Sequence, residues 1–343
     1  MACSWKCKIA EGESGICGAR WNRKGKLYLM AYGKVYNGLS LDPVEKKPLF
    51  HFLPGSSVLS FGTVGCNFGC LFCQNSHMSQ SPKAIKTGRH MGRPLRNKEA
   101  RLLELVERTS EDWRPKEIVE EALKVKASAI AYTYNEPAVF AEYAHDTMKL
   151  ARKKGLKNIF VSNGFESPET LKLVGPYLDA INVDLKSFSD KFYREVCKGK
   201  IEAVLKNIKK LYKMGVWLEI TTLIIPTLND SEKELKQIAK FIKEIDREIP
   251  WHVSAFHPAY KLQHLPPTPR EKVIKAYETG KKVGLSYVYV GNIWGERDYS
   301  STFCPKCGAL LIRREIEIVI ENLNEKKGVC KKCGYKIKGV FAS

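Results

Sequence analysis

No run in this sequence approaches the ~18 consecutive apolar residues of a membrane-spanning helix. The opening MACSWKCKIAEGESG also holds no apolar signal core. Both absences argue against a membrane protein or an exported one, so a cytoplasmic setting is expected, where clustered cysteines serve metals rather than disulfides. Acidic residues are in deficit too: 37 Asp and Glu against 57 Lys and Arg leave a formal charge of +20. Such an excess attracts nucleic acid or an acidic protein, yet no aromatic-plus-basic RNA-binding signature accompanies it. Much of the charge lies in Lys/Glu-rich stretches such as SEKELKQIAKFIKEIDREIP, which read as solvated helix faces and suit a thermophile. A hydrophobic content of 44% excludes disorder, and 343 residues allow one large domain with small appendages.

The most informative deficit is local. GTVGCNFGCLFCQ places Cys66, Cys70 and Cys73 close together and supplies no fourth cysteine. A structural zinc site and an ordinary cubane cluster each take four protein ligands. Spacings of three and two residues instead wrap a loop round three corners of a [4Fe–4S] cluster, with one iron open to something else. Gly62, Gly65 and Gly69 permit the tight backbone, and Phe72 sets an aromatic ring beside the last ligand. The alternative is a zinc loop that borrows a distant histidine.

Eight of the eleven cysteines fall elsewhere. CPKCG and CKKCG put Cys304, Cys307, Cys330 and Cys333 on two knuckles joined by a hairpin-like insert, the pattern of a zinc ribbon. Iron fits such knuckles as well, but zinc is the better match, in a structural role because all four positions are filled. Cys3, Cys7 and Cys17 form an N-terminal group that suggests a second metal site, zinc or an auxiliary cluster, with plain reduced thiols as the alternative. Cys197 is isolated and is expected to be a small packed residue.

After a first strand-like run at 57–61, strand-like and helix-like segments alternate from residue 110 onward. SVLSF, ASAIAYTY, NIFVSNG, DAINVDLK, VWLEITTLIIP, WHVSAFHP and LSYVYVGN read as strands with helices between them, which argues for an α/β fold on a parallel sheet, open or barrel-like. TYNEP, SNG, DLK, ITTLIIPT and FHP fall at or just beyond strand C-termini, the active-site rim of a β/α barrel.

From about Leu53 to Asn292 the chain resembles the radical S-adenosylmethionine (SAM) enzymes of the pyruvate formate-lyase activating-enzyme type. It is most similar to the Memo-associated (AmmeMemoRadiSam) family. EGESGICGARWNRKGKLY, DPVEKKPLFHFLPG, SFGTVGCNFGCLFCQN, AYTYNEP, VSNGF and INVDLKSF carry the resemblance. It implies an incomplete (β/α) barrel, with Cys66, Cys70 and Cys73 on three irons and SAM on the fourth. It also gives Glu136 the SAM amino group, Asn163 and Gly164 its methionine part, Lys186 its carboxylate and His257 its ribose. Asp184 would match a metal-site aspartate. Two departures stand out: activating enzymes carry an aspartate where this chain has Val161, which puts a bound monovalent cation in doubt, and an arginine where it has Glu219, which reverses a charge near the cofactor. In the family pattern a further cysteine precedes Cys3 by three positions; here it would fall before Met1, so either the start lies upstream, or the site binds weakly or uses a non-cysteine ligand.

The expected organisation is an N-terminal cysteine-bearing extension (1–52), a radical SAM core (53–299) with a basic insertion at about 82–114, and a C-terminal zinc ribbon (300–343). The insertion reads as a flexible, solvated loop before a short helix, or a flap over substrate. A low-potential electron donor such as ferredoxin is implied. The resemblance points to a protein substrate, acidic if the charge is a guide, that receives a glycyl radical or another modification. RNA or a small metabolite is the alternative, and a non-catalytic iron–sulfur sensor a third reading.

Overall fold

Apolar runs of the sequence become short parallel strands buried on both faces, and amphipathic segments become the helices between them. The computed structural model describes residues 2–86, 89–90, 93–94, 97–293, 295, 297–315 and 317–341. Two compact units emerge, one made of residues 1–42, 57–179 and 196–199, the other of 43–56, 180–195 and 200–343. Among the described residues no helix is long and apolar enough to cross a membrane.

In the first unit, β1 (Ser57–Phe61) is followed by α1 (Ser81–Lys86), α2 (Lys98–Thr109) and α3 (Pro115–Lys124). Next come β2 (Ala129–Tyr132), α4 (Ala141–Lys153), β3 (Lys157–Ser162) and α5 (Pro168–Val174). β2 is the central strand, with Phe61 and Phe160 level with Tyr132 on either side. Local chemistry sets the helix limits. Pro115 and Pro168 occupy first helical positions, where the missing N–H costs nothing, and the Ser167 hydroxyl caps α5 by accepting from Thr170 N at 3.1 Å. Gly155, with φ of +80°, takes the left-handed turn that ends α4.

The insertion departs from expectation. Asn97 caps α2 through Ala100 N, and this 12-residue helix buries Leu102 and Val106 in a cluster with Trp21, Ala31 and Val64. Part of the insertion is therefore core, because its apolar residues recur at helical spacing within a charged background. Positions 87–88, 91–92 and 95–96, in its Gly/Arg/Pro-rich part, lie outside the described residues. The N-terminal segment forms an antiparallel hairpin, Arg20–Arg23 with Lys26–Leu29. Ser4 N donates to Phe165 O at 3.0 Å, which ties the start of the chain beside the loop after β3.

The second unit repeats the β/α pattern with β4 (Ala180–Asp184), α6 (Ile201–Lys213), β5 (Trp217–Ile224), α7 (Glu232–Ile245), β6 (Trp251–Ala255), α8 (Arg270–Val283) and β7 (Val288–Gly291). These strands pair in parallel in chain order, with Asp184 level with Thr221 and Trp251 level with both Ile220 and Val288. α7 shows why they are covered: Leu235, Ile238, Ala239 and Ile242 recur at helical spacing and are buried. The hairpin foreseen between the C-terminal knuckles is present, Leu310–Arg314 against Ile318–Ile320. The architecture is an α/β fold on mostly parallel strands, of the class expected.

Candidate iron–sulfur site

β1 runs out at Phe61 into the loop that carries the three close cysteines, and that loop is held from several sides. No side chain fits at Gly62, where a Cβ would lie 2.5 Å from Thr133 O, nor at Gly65, which has φ of +91° and would set a Cβ 2.6 Å from Cys17 O. Asn135, in the loop after β2, clamps the backbone. Its Oδ1 accepts from Thr63 N at 3.1 Å and its Nδ2 donates to Gly65 O at 2.7 Å. Gly69 N and Leu71 N donate to the carbonyls of Cys197 and Val196, both at 2.9 Å. The isolated Cys197 is thus the packed residue expected, and its backbone carries the contact.

The thiols face a polar, enclosed surround. Cys70 and Phe72 are buried, and Cys66 and Cys73 half-buried. Burial pushes the Cys66 thiol up to about 12, against the pull of the nearby Lys83 ammonium. Cys73 Sγ lies 3.2 Å from Ser79 Oγ. Asn67 Oδ1 accepts from Asn163 Nδ2 at 2.7 Å, which joins the cysteine loop to the end of β3.

Beside that junction sits a buried carboxyl pair. Glu136 Oε1 accepts from Ala138 N at 3.0 Å and its Oε2 from Asn163 N at 2.8 Å. Ser162 Oγ stands between Glu136 and Glu166, 3.0 and 3.2 Å from the two oxygens of the first and 2.5 Å from the second. Burial, and then the charge of Glu166, raise the Glu136 carboxyl to about 8.

The first unit therefore brings Cys66, Cys70, Phe72, Cys73, Glu136 and Asn163 together on the C-terminal ends of β1, β2 and β3. In the second unit Lys186 Nζ pairs with Asp184 Oδ2 at 2.7 Å, just past β4, and His257 is exposed beyond β6. Asp184 is thus salt-bridged to a lysine. Glu219 also differs from expectation. It is the third residue of β5, fully buried, and accepts from Phe50 N, His51 N, Trp217 Nε1 and His252 Nε2. Sequence reasoning missed Asn67, Lys83, Asn135, Ser162 and Glu166; the short polar runs YNEP and SNG were the available signal, since Asx and Ser side chains bind nearby backbone.

Two kinds of metal geometry are distinguishable. Tetrahedral binding at Zn–S ≈ 2.3 Å sets sulfurs ~3.8 Å apart. Cys304 to Cys333 is 3.6 Å and Cys307 to Cys330 is 3.8 Å. Those four cysteines fit one metal ion and are the single gathered ligand group among the described residues. Burial opposes the Cys330 thiolate, but the amides of Cys333 and Lys332 and the Cys307 thiol bring it down to about 7. Cys66, Cys70 and Cys73 are not drawn together in that way, and among the described residues no histidine or carboxylate completes them. Three cysteines outside any disulfide, spread wider than one ion permits, suit a cluster rather than a borrowed-histidine zinc site. Neither do Cys3, Cys7 and Cys17, half-buried, exposed and buried respectively, gather round one point.

The model of the Radical SAM superfamily matches residues 61–242, more than half of the chain. The chain belongs to the radical SAM superfamily. It is 43% identical over 337 residues to uncharacterized protein MJ0808 of Methanocaldococcus jannaschii, covering 98% of this chain and 93% of that one. The pyruvate formate-lyase-activating enzyme of Clostridium pasteurianum is 26% identical over 144 residues, 39% of this chain and 58% of that enzyme. A domain of the pyruvate-formate lyase-activating enzyme from Bacteroides vulgatus superposes with a TM-score of 0.42 at 19% identity, over 48% of this chain and 100% of that one. Membership in the radical SAM superfamily makes this chain a radical SAM enzyme, with a [4Fe–4S] cluster and SAM as its cofactors, and the donor set found here fits that cluster.

Proposed function

We propose that this enzyme generates a 5′-deoxyadenosyl radical for hydrogen abstraction from a protein, as a glycyl-radical activase or another modifying enzyme. Cys66, Cys70 and Cys73 would hold the cluster and leave it a position for SAM. When bound, the cluster would supply the one electron for reductive cleavage of SAM to methionine and a 5′-deoxyadenosyl radical that could take a hydrogen atom from substrate. That electron comes from a low-potential donor such as ferredoxin. The remaining roles belong to the chain: Glu136, Asn163, Lys186 and His257 orient SAM, Phe72 shields the last ligand, and the buried loop excludes water. One observation carries the reading, the loop at the end of β1 with three cysteines outside any disulfide and, among the described residues, no gathered fourth ligand. We assign zinc to the C-terminal ribbon, in keeping with its sulfur spacings. The functional divisions are residues 1–52, 53–299 and 300–343, and the setting is cytoplasmic.

The test is 5′-deoxyadenosine release by anaerobically reconstituted protein given SAM and dithionite, beside a Cys70→Ala control. Product from the native protein alone supports the proposal. Full iron loading and SAM binding with no product, even in a lysate fraction that supplies partners, would favour the sensor reading. The net charge of +20 favours RNA as a second substrate class. Steep salt dependence of RNA binding would support that alternative.

A further inference from the structure

The half-buried Lys83 side chain turns its ammonium onto the cysteine loop. Lys83, on α1, donates from Nζ to the Phe68 carbonyl, midway between Cys66 and Cys70. Gln80 Nε2 donates to the same oxygen at 3.2 Å. The N-terminal segment closes over this helix so tightly that a Cβ at Gly18 would stand 2.6 Å from Pro82 Cβ and 3.1 Å from Lys83 N. The ammonium is within electrostatic reach of the thiols of Cys66, Cys70, Cys17 and Cys73, and among the described residues no carboxylate pairs with it.

Lysine is seldom enclosed without a partner, since burying an ammonium is costly unless an anion offsets it. Neutral thiols do not supply that anion. Three thiolates on a [4Fe–4S]2+ core do, with one net negative charge that doubles on one-electron reduction. A fixed cation beside the loop stabilises the reduced form more than the oxidised one. We propose that Lys83 is the built-in countercharge of the cluster, a positioning residue that raises its reduction potential as well as bracing the loop at Phe68. This rests on the assignment of the cysteine trio to a [4Fe–4S] cluster.

Full-length protein is reconstituted anaerobically as wild type and as Lys83→Arg, Lys83→Gln and Lys83→Met. Iron and sulfide are counted, and the midpoint potential is read by mediated titration followed by electron paramagnetic resonance. Loss of the charge in Lys83→Gln and Lys83→Met is expected to move the oxidised-to-reduced ratio about tenfold toward oxidised at a fixed potential, a midpoint lower by about 59 mV for one electron. Lys83→Arg is expected to stay near wild type. Retention of iron by Lys83→Arg alone would equally support the countercharge. An unchanged midpoint in Lys83→Gln at full iron content overturns it, as does a Lys83→Arg shift as large as that of Lys83→Gln, or loss of iron by all three variants. A wild-type protein that takes up no cubane cluster would instead overturn the reading of the trio, and shows this before any variant is titrated.

Discussion

Replacing Glu219 by alanine tests whether the charge reversal in β5 serves the cofactor or the fold. Four donors end on this carboxylate: Phe50 N at 2.9 Å, His51 N at 2.8 Å, Trp217 Nε1 at 2.9 Å and His252 Nε2 at 2.6 Å. Its side chain is fully enclosed, so alanine leaves the donors of buried His51 and His252 and of half-buried Phe50 and Trp217 without this acceptor. An orphaned buried donor costs about 1–3 kcal/mol, and two of these four are on buried residues. A total loss of about 4 kcal/mol is a conservative expectation. At about 2–4 °C per kcal/mol for a domain of this size, Glu219→Ala should unfold about 8–16 °C below wild type by circular dichroism. pH supplies an independent check. Burial works against ionisation of Glu219, but the hydrogen bond and charge of His252, with His51 and Trp217, hold its pKa below the usual carboxylate value. A depressed folded-state pKa contributes stability above the unfolded value of about 4.3, and that contribution is lost as pH falls through the folded value. Glu219→Gln should lack that acid-side decline. A melting point within about 2 °C of wild type, together with lost SAM cleavage, would refute the structural role and return Glu219 to the cofactor.

Asn135→Ala removes both the acceptor for Thr63 N and the donor to Gly65 O; it should lower iron uptake on reconstitution far more than it lowers the melting point, as read by iron assay and circular dichroism. Cys330→Ser should abolish binding of one metal ion per chain in the ribbon, measured by elemental analysis, while iron bound at Cys66, Cys70 and Cys73 is retained. Glu136 is raised to about 8 in the folded protein, so its contribution is complete below the unfolded value of about 4.3 and is lost as pH rises through about 8. Glu136→Gln should flatten the fall of melting temperature between those limits, seen by scanning fluorimetry of the SAM-free protein.

Periodicity and punctuation located the strands because each is a short apolar run between turn residues. Ser167-Pro168 and Gly155 marked helix ends for reasons that act within a few residues, so a single sequence suffices to see them. Cysteine spacing was legible in the same way, since both knuckles and the close trio are local patterns. What stayed hidden depends on long-range pairing. Nothing near Glu219 in the sequence announces that Phe50 and His51, some 168 residues earlier, present their amides to it. Likewise, Lys83 is one of 57 cationic residues, and only the fold turns its Nζ onto the cysteine loop. α2 illustrates the middle case. Its Leu102 and Val106 lie at helical spacing, but the surrounding charges masked a stripe that packs beneath the N-terminal hairpin.

The proton count at Ser162 decides how Glu136 behaves. One hydroxyl hydrogen faces three carboxylate contacts, at 2.5, 3.0 and 3.2 Å, so it satisfies at most one of them well. Gly164 N donates to the same oxygen at 2.9 Å, which orients the hydroxyl hydrogen toward the carboxyls. With both glutamates ionised, two negative charges would be enclosed side by side, and the second charge is suppressed by retaining a proton. Amide donors from Ala138 and Asn163 favour charge on Glu136, yet burial and Glu166 outweigh them. Near neutral pH the folded protein therefore favours a proton on Glu136. A cationic group that arrives at this end of β2 and β3 meets a carboxyl pair able to give up that last proton. Its attraction strengthens as the proton leaves, so binding of such a group and ionisation of the pair are linked and reinforce each other.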